Sequence, residues 1–65
     1  MSNNLITIAI DAMGGEDSPY KCLKGAEIFS SKINNIKIIF IGDKEKISQL
    51  IIDRKIKLNN YDIIH

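Results

Sequence analysis

Two short stretches, Leu5–Ile10 (LITIAI) and Ile36–Ile41 (IKIIFI), constrain the fold more than anything else in this chain. In the first, Ile6, Ile8 and Ile10 alternate with Leu5, Thr7 and Ala9, so neither face is strongly polar. The second is the same except for Lys37 near its start. A strand with one wet face alternates apolar and polar residues, whereas one apolar on both faces belongs inside a parallel sheet. A buried helical segment is the alternative, but the runs are short and glycines follow them. Parallel strands cannot be joined by a tight hairpin; each pair needs a right-handed crossover, usually a helix.

The intervening residues supply those crossovers. From Pro19 to about Ile33, Cys22, Ala26, Phe29 and Ile33, with Leu23 beside them, recur at spacings of three and four. That predicts a helix burying this stripe, with Lys21, Lys24, Glu27 and Lys32 mostly on its wet side. Gly25 within it costs about 1 kcal/mol relative to alanine, and either permits close packing on the sheet or is simply tolerated. Asn34-Asn35 ends the helix. After the second strand, Gly42-Asp43 makes a tight turn, with Asp43 as N-cap of a second helix from about Lys44 to Arg54. Ile47, Leu50 and Ile51 are its inward stripe. Lys57–Tyr61 is a polar connection, Asp62–His65 reads as the opening of a third strand that the chain stops inside, and Ser2–Asn4 is a polar lead-in. The order βαβαβ predicts an α/β, Rossmann-like parallel sheet. If successive strands add in one direction, both helices cover one face and the other stays bare. Residues 1–65 therefore read as an incomplete part of a larger three-layer α/β/α fold, cut from a longer protein or completed by another chain.

The loop between the first strand and first helix, Ile10-Asp-Ala-Met-Gly-Gly-Glu-Asp-Ser-Pro19, is the expected site. Its paired glycines allow positive φ and a close approach to a ligand. Ser18 is expected to cap the helix and Pro19 to occupy its first position. The open amides and positive dipole end favour an anion such as phosphate. The carboxyl end of a strand is also where open α/β sheets bind ligands. Gly14 and Gly15 would contribute through their backbone N–H groups. Asp11 either orients a substrate or pins the loop's own amides; as a phosphate ligand it is poor, because like charges repel. Glu16 and Asp17 suit the helix dipole. Asp43 is a cap whose place at a strand end keeps it eligible as a ligand. Tyr20 and Met13 either line a crevice or stand exposed. Cys22 falls on the buried stripe, where a thiol is inert. His65 sits at the chain end with no partner in view.

Composition narrows the class. A chain of 65 residues buries only about 60% of the surface its unfolded form exposes, so its stability is marginal. A net charge of +1, with 26% charged and 45% hydrophobic residues, gives no basic excess for nucleic acid and no acidic tail. There is no G-x-G-x-x-G and no Walker-type loop, so neither a dinucleotide nor a nucleoside triphosphate is indicated. One cysteine and one histidine build no metal cluster and no nucleophile–histidine–acid set, and no cofactor is expected. The lone Cys22 fits a reducing compartment. No apolar run approaches the roughly 20 residues of a membrane span, and Met1-Ser-Asn-Asn lacks the regions of a signal peptide.

Asp11-Ala12-Met13-Gly14-Gly15-Glu16, with Pro19 three residues on, closely resembles the N-terminal signature of the bacterial phosphate acyltransferases (the PlsX family). That signature usually reads Asp-Ala-Met-Gly-Gly-Asp, so Glu16 is a departure. The likeness continues through Gly25-Ala26 and Ile41-Gly42-Asp43, covering nearly all of this chain but about the first fifth of a full-length member. The resemblance implies transfer of a fatty acyl group from acyl carrier protein to inorganic phosphate. The product would be an acyl phosphate for phospholipid synthesis. It implies cytoplasmic or peripherally membrane-associated dimers, raises Glu16 beside Asp11 as a catalytic candidate, and favours the Gly14 and Gly15 amides as phosphate-binding, with Asp43 eligible there by its place at a strand end. The longer Glu16 side chain displaces its carboxylate by about 1 Å, and misplacement on that scale can cost about 100-fold in rate. Too short for an acyl channel and a carrier-docking surface, the chain is expected to be inactive alone. The competing readings are a non-catalytic remnant or split-protein piece, and a small phosphate- or nucleotide-binding module sharing only the fold.

Overall fold

The computed structural model describes residues 4–65, so Ser2 and Asn3 of the polar lead-in lie outside the described residues. The elements are β1 (Ile6–Asp11), α1 (Tyr20–Ser31), β2 (Ile36–Ile41), α2 (Lys44–Asp53) and β3 (Tyr61–Ile64). All strands are parallel and the sheet order is β1-β2-β3, with β2 in the middle. This is the expected Rossmann-like βαβαβ arrangement.

The register decides which side chains share a face. Ile8 and Ile10 of β1 pair with Ile38 and Phe40 of β2. Those in turn pair with Tyr61 and Ile63 of β3. Leu23 and Ala26 of α1 and Ile47 of α2 join Ile36, Ile38 and Phe40 in one buried cluster, so both helices lie on this face. The Tyr61 ring meets Phe40 edge-on, with centroids 6.1 Å apart and planes at 66°. On the opposite face the pairs are Ala9 with Ile39, Asp11 with Ile41, and Ile41 with Ile64. Ile41 and Ile64 stay 44% and 53% exposed there. Lys37 reaches Asp62 at 3.0 Å across the same face. Strands have added in one direction and one face is bare. Burial on both faces, expected from the apolar runs, is met on one side only.

Two readings of α1 need correction, and one open alternative is decided. The buried arc of α1 is centred on Leu23 and Ala26, while Phe29 of the predicted stripe is 43% exposed. The arc is turned toward Glu27, whose carboxylate accepts from the Lys57 amide at 2.8 Å and pairs with Lys24 at 2.8 Å. Glu27 is thus a half-buried tie to the α2–β3 connection rather than a wet-side residue. Gly25 is exposed and a Cβ there would meet nothing within 4 Å, so it is tolerated rather than needed for packing. The polar reading of the connection into β3 began one residue after Ile56, which is buried in the core.

Candidate functional site

Parallel strands deliver all of their following segments to one edge. Here that edge carries the loop 12–19 after β1, Gly42-Asp43 after β2 and His65 after β3. Two hydrogen bonds fasten it: the Ala12 amide donates to the Ile41 carbonyl at 3.0 Å, and the Gly42 amide to the Ile64 carbonyl at 2.9 Å. Ala12 is fully buried, so the loop leaves the sheet from a fixed point.

Asp11 makes the loop's first turn. Its Oδ1 accepts from the Met13 amide at 3.1 Å, the role of pinning the loop's own backbone. Its other oxygen lies 3.6 Å from where a Cβ of Gly14 would stand. Only Gly15 of the pair adopts positive φ, at 87°; the second left-handed position falls on Asp17, at 61°. Gly14 and Gly15 are exposed, and among the described residues neither amide has a hydrogen-bond acceptor. The corner is therefore open, with backbone N–H groups free for a ligand.

Ser18 does not cap α1: its hydroxyl donates back to the Gly14 carbonyl, closing the loop on itself. Pro19 occupies the N-cap position without a side-chain bond, and the Lys21 and Leu23 amides reach the carbonyls of Asp17 and Pro19, each at 3.0 Å. As a cap the Ser18 hydroxyl would accept from a helix amide; in the tight loop it donates to a carbonyl instead. Glu16 is exposed and makes no hydrogen bond or ion pair among the described residues. Cys22 is half-buried rather than fully covered, and its thiol faces the Asp11 carbonyl at 3.8 Å.

Asp43 is the expected N-cap of α2, accepting from the Lys46 amide at 3.1 Å. His65 has a partner that the sequence did not reveal: its Nδ1 accepts from the Lys44 amide at 3.4 Å. The contact spans 21 positions and depends on β3 ending beside α2, so no local pattern signals it. His65 and Asp43 border an open groove of about 920 Å³ running along α2. A second hollow, of about 580 Å³, lies between Ser18–Lys21 and Arg54, whose guanidinium stacks 4.8 Å from the Tyr20 ring centroid. The structure thus brings Asp11, Gly14 and Gly15 together, sets Asp43 on the neighbouring turn, and leaves Glu16 outward.

Among the described residues no cluster of His, Cys, Asp and Glu could hold a metal ion. No helix among them is long and apolar enough to cross a membrane.

Residues 6–65 match the family described as "Fatty acid synthesis protein". A phosphate acyltransferase of Oleidesulfovibrio alaskensis is 38% identical over 65 residues, which is 100% of this chain and 18% of that protein. One from Wolbachia pipientis wMel is 40% identical over 67 residues, 97% of this chain and 19% of the relative. The phosphate acyltransferase of Oenococcus oeni is 47% identical over 49 residues, 75% of this chain and 14% of the relative. This chain spans less than a fifth of the length of these relatives. No solved structure matches it.

Proposed function

The chain belongs to the phosphate acyltransferase family, and from that premise we propose that it forms the phosphate-facing part of an enzyme transferring an acyl group from acyl carrier protein to inorganic phosphate. One observation supports the reading above the rest: the exposed, unpaired Gly14 and Gly15 amides at the carboxyl edge of the sheet. In the proposed step a phosphate oxygen attacks the thioester carbonyl carbon. The C–O bond forms, the C–S bond breaks, and the carrier thiolate leaves and takes up a proton. A positioned anion and donors aimed at the developing oxyanion are what such a step needs. Asp11 acts through the loop it pins and Asp43 by shaping the adjacent turn. Glu16 points its carboxylate outward, where it would approach a carrier or substrate rather than the loop.

The enzyme would work in the cytoplasm, in contact with acyl carrier protein and with the rest of an acyltransferase chain or a dimer partner. The chain alone would not turn over, since its grooves along α2 and beside Tyr20 are open to solvent and give an acyl chain no enclosed channel. Titrating isotope-labelled protein with inorganic phosphate tests the site: the Gly14 and Gly15 amide signals shift first. Shifts confined to residues far from the loop would remove the assignment, and a clear preference for nucleotides over phosphate would favour a binding module. Incubation with acyl carrier protein thioester and phosphate is expected to yield no acyl phosphate from this chain.

A further inference from the structure

We propose that Met13 is a positioning residue, and that its thioether side chain, seated on Gly42, sets the direction in which the Gly14 and Gly15 amides point. The inference rests on the phosphate-loop reading for its purpose, though not for its geometry.

Met13 is held at two points. Its amide donates to Asp11 Oδ1 at 3.1 Å, which fixes the backbone entering the residue. Its side chain crosses to the next strand's turn. A Cβ on Gly42 would stand 2.5 Å from Met13 Cγ, 3.0 Å from its sulfur and 3.3 Å from Ile47 Cδ1. The first of those separations is one that real atoms do not adopt, so the fit of Met13 over the turn requires glycine at 42. Gly42 also has φ 156°, at the border of the region L side chains avoid. Ile47, on the other side of that position, is fully buried, whereas Met13 remains 39% exposed.

The residue clamped at backbone and side chain is the one immediately before the glycine pair. Glycines impose no preferred orientation of their own. Whatever direction their N–H groups hold must come from the neighbours: Met13 on one side, the Ser18 hydroxyl on the Gly14 carbonyl on the other. Methionine suits the post because an unbranched thioether fills irregular gaps that a β-branched chain would not. The consequence is a physical link between the β1–α1 loop and the β2–α2 turn.

The test uses the full 65-residue chain, isotope-labelled, with amide spectra recorded with and without inorganic phosphate. Gly42→Ala is expected to move the Met13 methyl signal and both glycine amide signals in the absence of phosphate. It should also weaken phosphate binding about tenfold, the scale of one misaligned charged hydrogen bond. Met13→Ala leaves the core intact and should reproduce both effects, so the test stands even where Gly42→Ala fails to fold. Met13→Leu, of similar volume, should restore the wild-type amide positions. In the double variant Met13→Ala/Gly42→Ala, removing the thioether relieves the clash with Met13 and leaves only the backbone strain and the 3.3 Å approach to Ile47, so the loss should be smaller than the sum of the two single variants. Unmoved glycine amides in Met13→Ala overturn the proposal. So does a double variant whose effects simply add. Absence of phosphate binding in the unmodified chain would overturn the proposed function, while the phosphate-free amide shifts still decide whether Met13 orients the loop.

Discussion

Replacing Gly25 by alanine should stabilise this chain, and the size of the gain follows from its surroundings. Position 25 lies in the middle of α1, is exposed, and has nothing within 4 Å of the place a Cβ would occupy. The substitution therefore meets no steric penalty. Alanine is favoured over glycine in a helix interior by about 0.8–1 kcal/mol, largely because the unfolded chain loses freedom. A domain this small holds only about 0.05–0.15 kcal/mol of stability per residue, so the increment is a sizeable share of the total. Urea unfolding followed by circular dichroism reads it directly. With m near 1 kcal/mol per molar urea, the midpoint should rise by about 1 M with m unchanged. The thermal midpoint should rise by about 4–8 °C. A midpoint that stays put or falls would refute the reasoning, because it would mean that position 25 is covered in solution or that α1 is not formed there.

Asp43→Ala removes the acceptor of the Lys46 amide, and should lower stability by about 1 kcal/mol in the same urea assay. Glu27 gives a pH signature. Its hydrogen bonds, first from Lys24 and then from the Lys57 amide, hold its carboxyl below the ordinary value of 4.5. The stabilisation is therefore present above that value and lost as pH falls through the folded-state one. Glu27→Gln should flatten the acid limb of a stability–pH curve while leaving its neutral shape unchanged; an unaltered acid limb would show that the tie contributes nothing. Lys24 is raised above 10.5 by the same carboxylate, so its share persists below that value and disappears only at stronger alkalinity. On the bare face, Ile64→Lys replaces a residue that is 53% exposed, and should reduce concentration-dependent light scattering without unfolding the chain.

The elements themselves were legible because the signals were strong and local. Two β-branched runs ended in glycine-containing turns, and Asp43 stood where an N-cap should, so the bounds of β2 and the start of α2 match the structure. What could not be read was which neighbour each face would meet. Periodicity put Phe29 in the stripe of α1, yet α2 packs beside α1 on the same sheet face, which turns the buried arc toward Leu23 and Glu27. Ser18 could accept from a helix amide as a cap or donate to a loop carbonyl, and only the closed loop decides between them. At the candidate site, the glycine pair and the Asp11 turn were visible in the letters. The contacts of Met13 with Gly42 and of His65 with Lys44 were not, since each joins residues more than 20 positions apart.

Because β1 and β3 do not pair with each other, β2 is the keystone for both, and assembly has to wait for it. The first rung of the β1–β2 ladder joins Ile6 to Ile36, and the first rung of the second joins Ile38 to Tyr61. Each closes a long loop before any pairing rewards it, which slows folding. During synthesis β1 and α1 emerge with nothing to dock on until Ile41 has left the ribosome. Ending the chain before Ile36 would leave β1 no partner strand, whereas ending it after Ile56 would keep the β1–β2 rungs and the Ala12–Ile41 bond but lose the Gly42–Ile64 bond that also fastens the glycine-bearing edge.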